Sequence, residues 1–119
     1  MNAQIREFRK CLFQKLTGLI RKIRHDRADF MKEYEKKFHK KTGYVWFENI
    51  ATYDEEIESV TETRNILKSL RISKIQDIAE YRSLIISRLE AMQAQMIRLR
   101  AGIRLILDCI RDLSRAEKN

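Results

Sequence analysis

The sequence contains no proline and only three glycines among its 119 residues. A chain of this length and average composition would contain roughly six prolines and eight glycines. β-Sandwiches and β-barrels need these residues in their many turns, so the scarcity excludes both classes. Charged residues make up 35% of the chain, which argues against a membrane span, and the 44% of hydrophobic residues argues against disorder. The composition therefore predicts a single soluble all-α domain over residues 1–119.

Motifs that carry catalysis or hold metals are also lacking. Neither His25 nor His39 has a cysteine or carboxylate at the spacing of zinc ligands, and both are expected to be solvated surface residues. The sequence has no HExxH, CxxC or GxSxG motif and no glycine-rich phosphate loop. We therefore predict a protein that is not an enzyme, with no catalytic residues, no metal and no cofactor.

The only two cysteines, Cys11 and Cys109, lie on apolar stripes near opposite ends of the chain. A free cysteine in such a position behaves as a small hydrophobic residue. Two cysteines do not resemble the disulfide framework of a small secreted protein, so a reducing compartment, the cytoplasm, is favoured.

The positive charge is unevenly distributed. Residues 1–41 carry 13 basic and 5 acidic side chains, residues 42–81 carry 4 and 8, and residues 82–119 carry 8 and 4. The acidic central segment can neutralise only part of the two basic flanks, so a net charge of +8 remains. Such a surface suits phosphate backbones, anionic lipid or an acidic protein.

Apolar spacing predicts the helices. The first predicted helix has apolar residues at intervals of three and four. This apolar series pauses at the polar stretch 24–29, where a kink or local exposure is expected, and then resumes. The helix is predicted to end near Lys41, before Gly43. Thr52 and Glu55 resemble a capping box, which predicts that the second helix starts at Thr52 and runs to about Arg71. A weaker capping box predicts a break at Ser73.

From Ile85 to Leu113 apolar residues alternate at intervals of four and three, the heptad spacing of a coiled-coil seam. A continuous helix from Lys74 to Ala116 would be roughly 65 Å long, whereas a compact chain of this size has a radius of gyration of about 13 to 14 Å. The helix therefore either breaks, with Gly102 the weakest point, or packs against another chain. The predicted fold is an antiparallel bundle of about three long helices.

Basic side chains on the first and last helices are candidates for nucleic-acid binding. On the first helix most of these side chains project opposite the apolar stripe, and Lys22 and Lys40 lie close beside them. The arginines of the last helix line one strip. The planar guanidinium of arginine can bind phosphate oxygens in pairs. The alternative is a solvated exterior, with Asp108 and Asp112 pairing with the arginines. The candidates are Lys10, Arg21, Lys22, Lys32, Lys36, Lys40, Arg100, Arg104, Arg111 and Arg115.

Apolar residues of the aromatic segment 44–47 and of the heptad seam are candidates for core packing or protein contacts. The aromatic segment 44–47 falls between the first two predicted helices, where it can close the bundle or contact a partner, and the heptad seam can pair with another helix. The candidate partner-binding residues are Trp46, Phe47, Leu89, Met92, Met96 and Leu99.

These patterns favour a non-catalytic accessory subunit of a nucleoprotein assembly that binds an RNA or DNA backbone without sequence preference. The main alternative is a structural or adaptor protein that dimerises or binds a partner through the seam. Peripheral membrane attachment is disfavoured; it would require the first helix to insert its apolar face, which includes Phe8, Leu12, Phe13, Leu16 and Ile20. The first interpretation requires that the chain's own carboxylates leave the cations unneutralised.

Overall fold

The structure, a computed structural model, describes residues 2–38, 43–72 and 74–118. These residues form four α-helices and one 3-10 turn and no strand, which confirms the all-α prediction. In chain order the elements are α1 (Ala3–Phe38), α2 (Tyr44–Ser69), α3 (Ile78–Gln95), the 3-10 turn (Ile97–Leu99) and α4 (Arg100–Lys118).

Helix α1 determines the long dimension of the molecule. Its 36 residues span about 54 Å at 1.5 Å per residue, close to the longest extent of 56 Å. The radius of gyration is 17.0 Å, larger than the value of about 13 to 14 Å for a compact chain, so the molecule is elongated. The apolar stripe predicted from the sequence is buried along this helix, at Ile5, Phe8, Leu12, Leu16, Ile20 and Ile23.

The ends of α1 agree approximately with the sequence prediction. The helix runs unbroken through the polar stretch 24–29, where most side chains are exposed as expected. It ends at Phe38, and the predicted end near Lys41 lies outside the described residues.

Helices α1 and α2 are antiparallel neighbours. Near one end, an Nη of Arg9 donates to the carbonyl oxygen of Lys68. Near the other, the rings of Tyr34 and Trp46 lie 5.5 Å apart between centroids. Residues early in α1 therefore lie beside residues late in α2.

The predicted start of α2 at Thr52 is wrong, because the helix begins at Tyr44, about two turns earlier. The Thr52 hydroxyl donates to the carbonyl oxygen of Glu48 at 2.9 Å, so it lies inside the helix and caps nothing. Burial of Trp46 against Phe30 and Tyr34 explains the earlier start, since aromatic packing stabilises the first turns more than a local cap would.

The chain leaves helical structure after Ser69 and re-enters it at Ile78. This agrees with a break in the predicted region, although Ser73 itself lies outside the described residues. The N-cap of α3 is Asp77, whose carboxylate accepts a hydrogen bond from the Ala79 amide at 2.6 Å. The predicted second capping box is therefore not where α3 begins.

The predicted long last helix is interrupted, but not at Gly102. The break lies at Met96–Leu99, and Gly102 is buried inside α4. A residue of α2 stabilises the junction: the Ser59 hydroxyl donates to the Leu99 carbonyl oxygen at 2.8 Å and accepts from the Gly102 amide at 2.9 Å. It thereby satisfies an amide in the first turn of α4 that has no partner within that helix.

The break turns the apolar series inward. Residues from both sides of it are buried in one core with the apolar face of α1, so no single long seam remains exposed. The buried members of the predicted heptad series are Ile85, Leu89, Met92, Leu99, Ile103, Ile106 and Ile110.

Candidate functional site

The predicted cations of α1 are exposed. Lys10, Arg21, Lys22, Lys32 and Lys36 all lie outside the buried stripe of the helix and are exposed. Among the described residues, no carboxylate lies within ion-pair distance of any of them. Lys40, the sixth candidate, lies outside the described residues.

The predicted arginine strip of α4 is only partly available. Arg111 pairs with Asp108 at 3.2 Å, as the alternative interpretation of the sequence anticipated. Arg100 donates from Nε to the carbonyl oxygen of Gln93 at 3.1 Å and thereby binds the end of α3. Arg104 and Arg115 are exposed, with no carboxylate in contact among the described residues.

A second set of cations, which the sequence patterns did not predict, lies between α1 and α2 around Phe13. The Arg9 guanidinium lies over the Phe13 ring, 5.3 Å from its centroid, and the Lys68 ammonium lies 5.6 Å from the same centroid. Arg9 also donates to the Lys68 carbonyl oxygen at 2.9 Å. The half-buried ring therefore holds one cation from each helix beside it.

Arg64 of α2 extends this set by one turn. Its Nη1 lies 3.5 Å from the Thr17 hydroxyl of α1. The Nε atoms of Arg9 and Arg64 are buried and have no hydrogen-bond acceptor within the described chain.

These side chains border two open depressions that share Lys10 and Phe13. One, of about 410 Å³, is lined by Arg6, Arg9, Lys10, Phe13 and Lys68. The other, of about 490 Å³, continues along α1 past Thr17 and Gly18 to Arg21. None of the described lining residues is acidic. We call the two depressions together, with Arg64 beside Thr17, the basic groove.

The other edge of α2 has the opposite charge. A depression of about 390 Å³ between α2 and the 3-10 turn is lined by Asp54, Glu55, Glu58, Ser59 and Arg98 with two apolar neighbours, and we call it the acidic groove. Its border also carries the hydrogen-bonded ion pair between Arg98 and Glu62, at 2.7 Å, which raises the pKa of Arg98. The acids of the central segment therefore collect away from the basic groove.

Four of the six predicted partner-binding residues are buried within the chain. The side chains of Trp46, Leu89, Met92 and Leu99 lie in its interior, where they pack against the chain's own core. They are buried because the break before α4 folds the heptad series inward and because Trp46 packs against Phe30. These side chains are therefore not surface contacts for a partner.

The remaining two candidates are exposed. Phe47 is 62% exposed and Met96 is 41% exposed. Tyr44 and Val45, in the same first turns of α2 as Phe47, are exposed as well. The aromatic segment thus presents an apolar surface at the start of α2.

The apolar face required for membrane attachment is also internal. Phe8, Leu12, Leu16 and Ile20 are buried in the core, and only Phe13 is half-buried, so the face predicted to insert is occupied by the protein itself. No helix in residues 2–38, 43–72 and 74–118 combines the length and the apolar character needed to cross a bilayer.

Both cysteines are free thiols at half-buried positions. Burial raises the pKa of Cys109, which keeps the group in its less reactive thiol form, and Cys11 lies 3.7 Å from a carboxylate oxygen of Glu7. No group of three or more histidine, cysteine or acidic side chains in the described part of the chain could hold a metal ion.

Comparison of the chain with protein-family models, with curated proteins and with solved structures finds no match.

Proposed function

We propose that this protein is a non-catalytic accessory subunit of a nucleoprotein assembly and binds an RNA or DNA backbone through its basic surfaces. In this proposal an antiparallel helical bundle serves as a rigid support for the cations. The observation that carries it is the survival of exposed positive charge: the carboxylates of the described residues pair with Arg27, Arg98 and Arg111 but not with the predicted cations of α1.

Binding of this kind is electrostatic and independent of sequence. Each phosphate neutralised by a lysine or arginine releases condensed counterions, so the affinity falls as salt rises. With about six phosphate contacts, we expect the affinity for a mixed-sequence oligonucleotide to fall on the order of a thousandfold between 50 and 200 mM salt. Fluorescence anisotropy with a labelled oligonucleotide measures this slope.

A triple substitution tests the contribution of α4. Replacing Arg100, Arg104 and Arg111 with glutamate should strongly weaken binding if the strip contacts phosphate. The matched control replaces the same three residues with lysine, which keeps the charge and should retain most of the affinity. A wild-type protein that shows no binding at 50 mM salt would contradict the proposed function itself.

The second candidate is a structural or adaptor protein. The exposed apolar residues Tyr44, Val45 and Phe47 at the start of α2 favour it, since clustered exposed apolar surface commonly marks a protein contact. Light scattering separates the two candidates. A tight dimer that dissociates on Phe47→Asp substitution, without affinity for oligonucleotides at low salt, would support the adaptor.

A further inference from the structure

The basic groove differs from the other cationic surfaces because its charges come from two helices and converge on one concave surface. Arg9, Lys10 and Arg21 belong to α1, whereas Arg64 and Lys68 belong to α2. On the outer side of α1 the cations lie along a single convex helix, interrupted by Asp29. A cleft lined by one sign of charge concentrates the electric field, so the groove attracts anions more strongly than a convex surface does.

Two guanidinium groups of the groove are held in place before any ligand binds. Arg9 is fixed by the Phe13 ring and by the Lys68 carbonyl oxygen, and Arg64 lies against the Thr17 hydroxyl. These neighbours position the guanidinium groups without neutralising them. A preorganised site loses less conformational entropy on binding than one made of freely rotating lysines.

The dimensions of the groove suit one strand. From Arg9 to Arg21 it follows α1 for about 18 Å at 1.5 Å per residue, a length that spans several consecutive phosphates of one strand. Packed helices lie about 8 to 10 Å apart, so the space between their outer surfaces is too narrow to receive a duplex. A single strand can follow the floor, where Gly18 leaves open space.

We propose that the basic groove between α1 and α2 binds the phosphate backbone of single-stranded RNA or DNA. This inference rests on the proposed function and names the site and the ligand within it. Arg9, Lys10, Arg21, Arg64 and Lys68 contact successive phosphates. Phe13 is a positioning residue that holds Arg9 and Lys68 at the groove.

Gly18 offers a substitution that changes the groove with little risk to the fold. A Cβ added there would meet no atom within 4 Å outside its own helix. Gly18→Glu places a carboxylate on the groove floor, one turn before Arg21, whereas Gly18→Gln adds a side chain of nearly the same shape without charge. Both replace glycine with a better helix former, so both proteins should remain folded by circular dichroism.

The test compares these variants by fluorescence anisotropy with a labelled single-stranded oligonucleotide at 100 mM salt. We expect Gly18→Glu to bind at least about tenfold more weakly than Gly18→Gln. The control Ala28→Glu adds the same charge to the exposed side of α1 outside the groove and should change the affinity by less than about threefold at this Debye length.

A second variant examines the α2 side of the groove. Replacing Arg64 and Lys68 with glutamine should reduce the slope of log affinity against log salt by about 1.4, which corresponds to two phosphate contacts on a single strand. An unchanged slope would overturn the assignment of these two residues.

The outcomes distinguish the two proposals. If the wild type binds strongly and the two variants Gly18→Glu and Gly18→Gln bind with equal affinity, the groove is not the binding site, and the proposed function stands. Absence of wild-type binding at 50 mM salt would overturn both. Tighter binding to a duplex of the same sequence, or to phosphatidylserine vesicles at equal accessible charge, would contradict the claim that the groove's ligand is a single strand.

Discussion

The two edges of α2 show how the same kind of residue acquires different properties from its neighbours. Along the acidic groove Arg98 meets Glu62, and the two form a hydrogen-bonded ion pair. Along the basic groove Arg9 and Arg64 meet an aromatic ring, a carbonyl oxygen and a hydroxyl group. The first arginine is neutralised, whereas the other two are held in place and keep their charge.

Net charge alone therefore does not locate a binding surface. The antiparallel register places the basic end of α2 beside the basic start of α1, and it leaves Glu55 and Glu58 on the opposite edge of α2. The edge of α2 at the basic groove therefore keeps positive charge available to a ligand. The other edge contributes mainly to the packing of α2 against the 3-10 turn and the start of α4.

The largest expected effect concerns that packing and compares two helical glycines. A Cβ at Gly102 would lie 2.5 Å from the backbone nitrogen of Val60, which no relaxation of a flexible side chain can relieve. We expect Gly102→Ala to lower the free energy of unfolding by about 2 to 3 kcal/mol, measured by urea denaturation.

Gly18→Ala is the matched control for Gly102→Ala. Because its Cβ meets open space, we expect the free energy of unfolding to rise by about 0.5 to 1 kcal/mol through helix propensity alone. Equal effects of the two alanines would contradict the close contact between α2 and α4 and the open floor of the basic groove.

A smaller effect is expected when the acidic groove is neutralised. Glu55→Gln together with Glu58→Gln raises the net charge by two but adds no cation to the basic groove. Since exposed charges beyond about 8 Å are screened at physiological salt, affinity for a single strand should rise by no more than about threefold. A rise comparable to the loss in Gly18→Glu would indicate a diffuse cationic surface instead of a defined groove.

The smallest expected effect concerns Glu56. Burial raises the pKa of this carboxyl above its ordinary value of 4.5, with further contributions from Glu55 and Asp26. The folded state therefore binds the proton more tightly than the unfolded state, and the protein gains stability as the pH falls through the raised pKa.

Glu56→Gln removes the cost of this charge at neutral pH. We expect a slightly higher melting temperature than wild type at pH 7, with the difference disappearing below the ordinary pKa, where both side chains are neutral. The control Glu90→Gln changes an exposed carboxylate on α3 and should give little difference at pH 7. A lower melting temperature of Glu56→Gln at pH 7 would contradict this account.

The sequence predicted those features that depend on spacing within one helix. The buried face of α1 follows from apolar residues at intervals of three and four, and the exposed cations follow from the opposite side. The start of α2 could not be predicted from the Thr52 capping pattern, because the packing of Trp46 against α1 determines it.

Features that depend on contacts between helices were not predictable. The break before α4 contains neither glycine nor proline and is stabilised by Ser59, a residue distant in sequence. The basic groove requires the register that places Lys68 beside Arg9, and no local pattern specifies it. Phe13, an aromatic residue beside the apolar stripe of α1, is a local signal that could have directed attention to this edge.

The most direct test of the basic groove uses the amide signals of Gly18 and Gly102 in a two-dimensional nitrogen–proton NMR spectrum. A single-stranded oligonucleotide is added stepwise to the labelled protein at 100 mM salt. The groove predicts that the Gly18 amide and the Arg64 Nε–H signal shift and saturate together, while the Gly102 amide, buried between α4 and α2, stays in place. A shift of the Gly102 signal, with the Gly18 and Arg64 signals unchanged, would contradict binding in the groove.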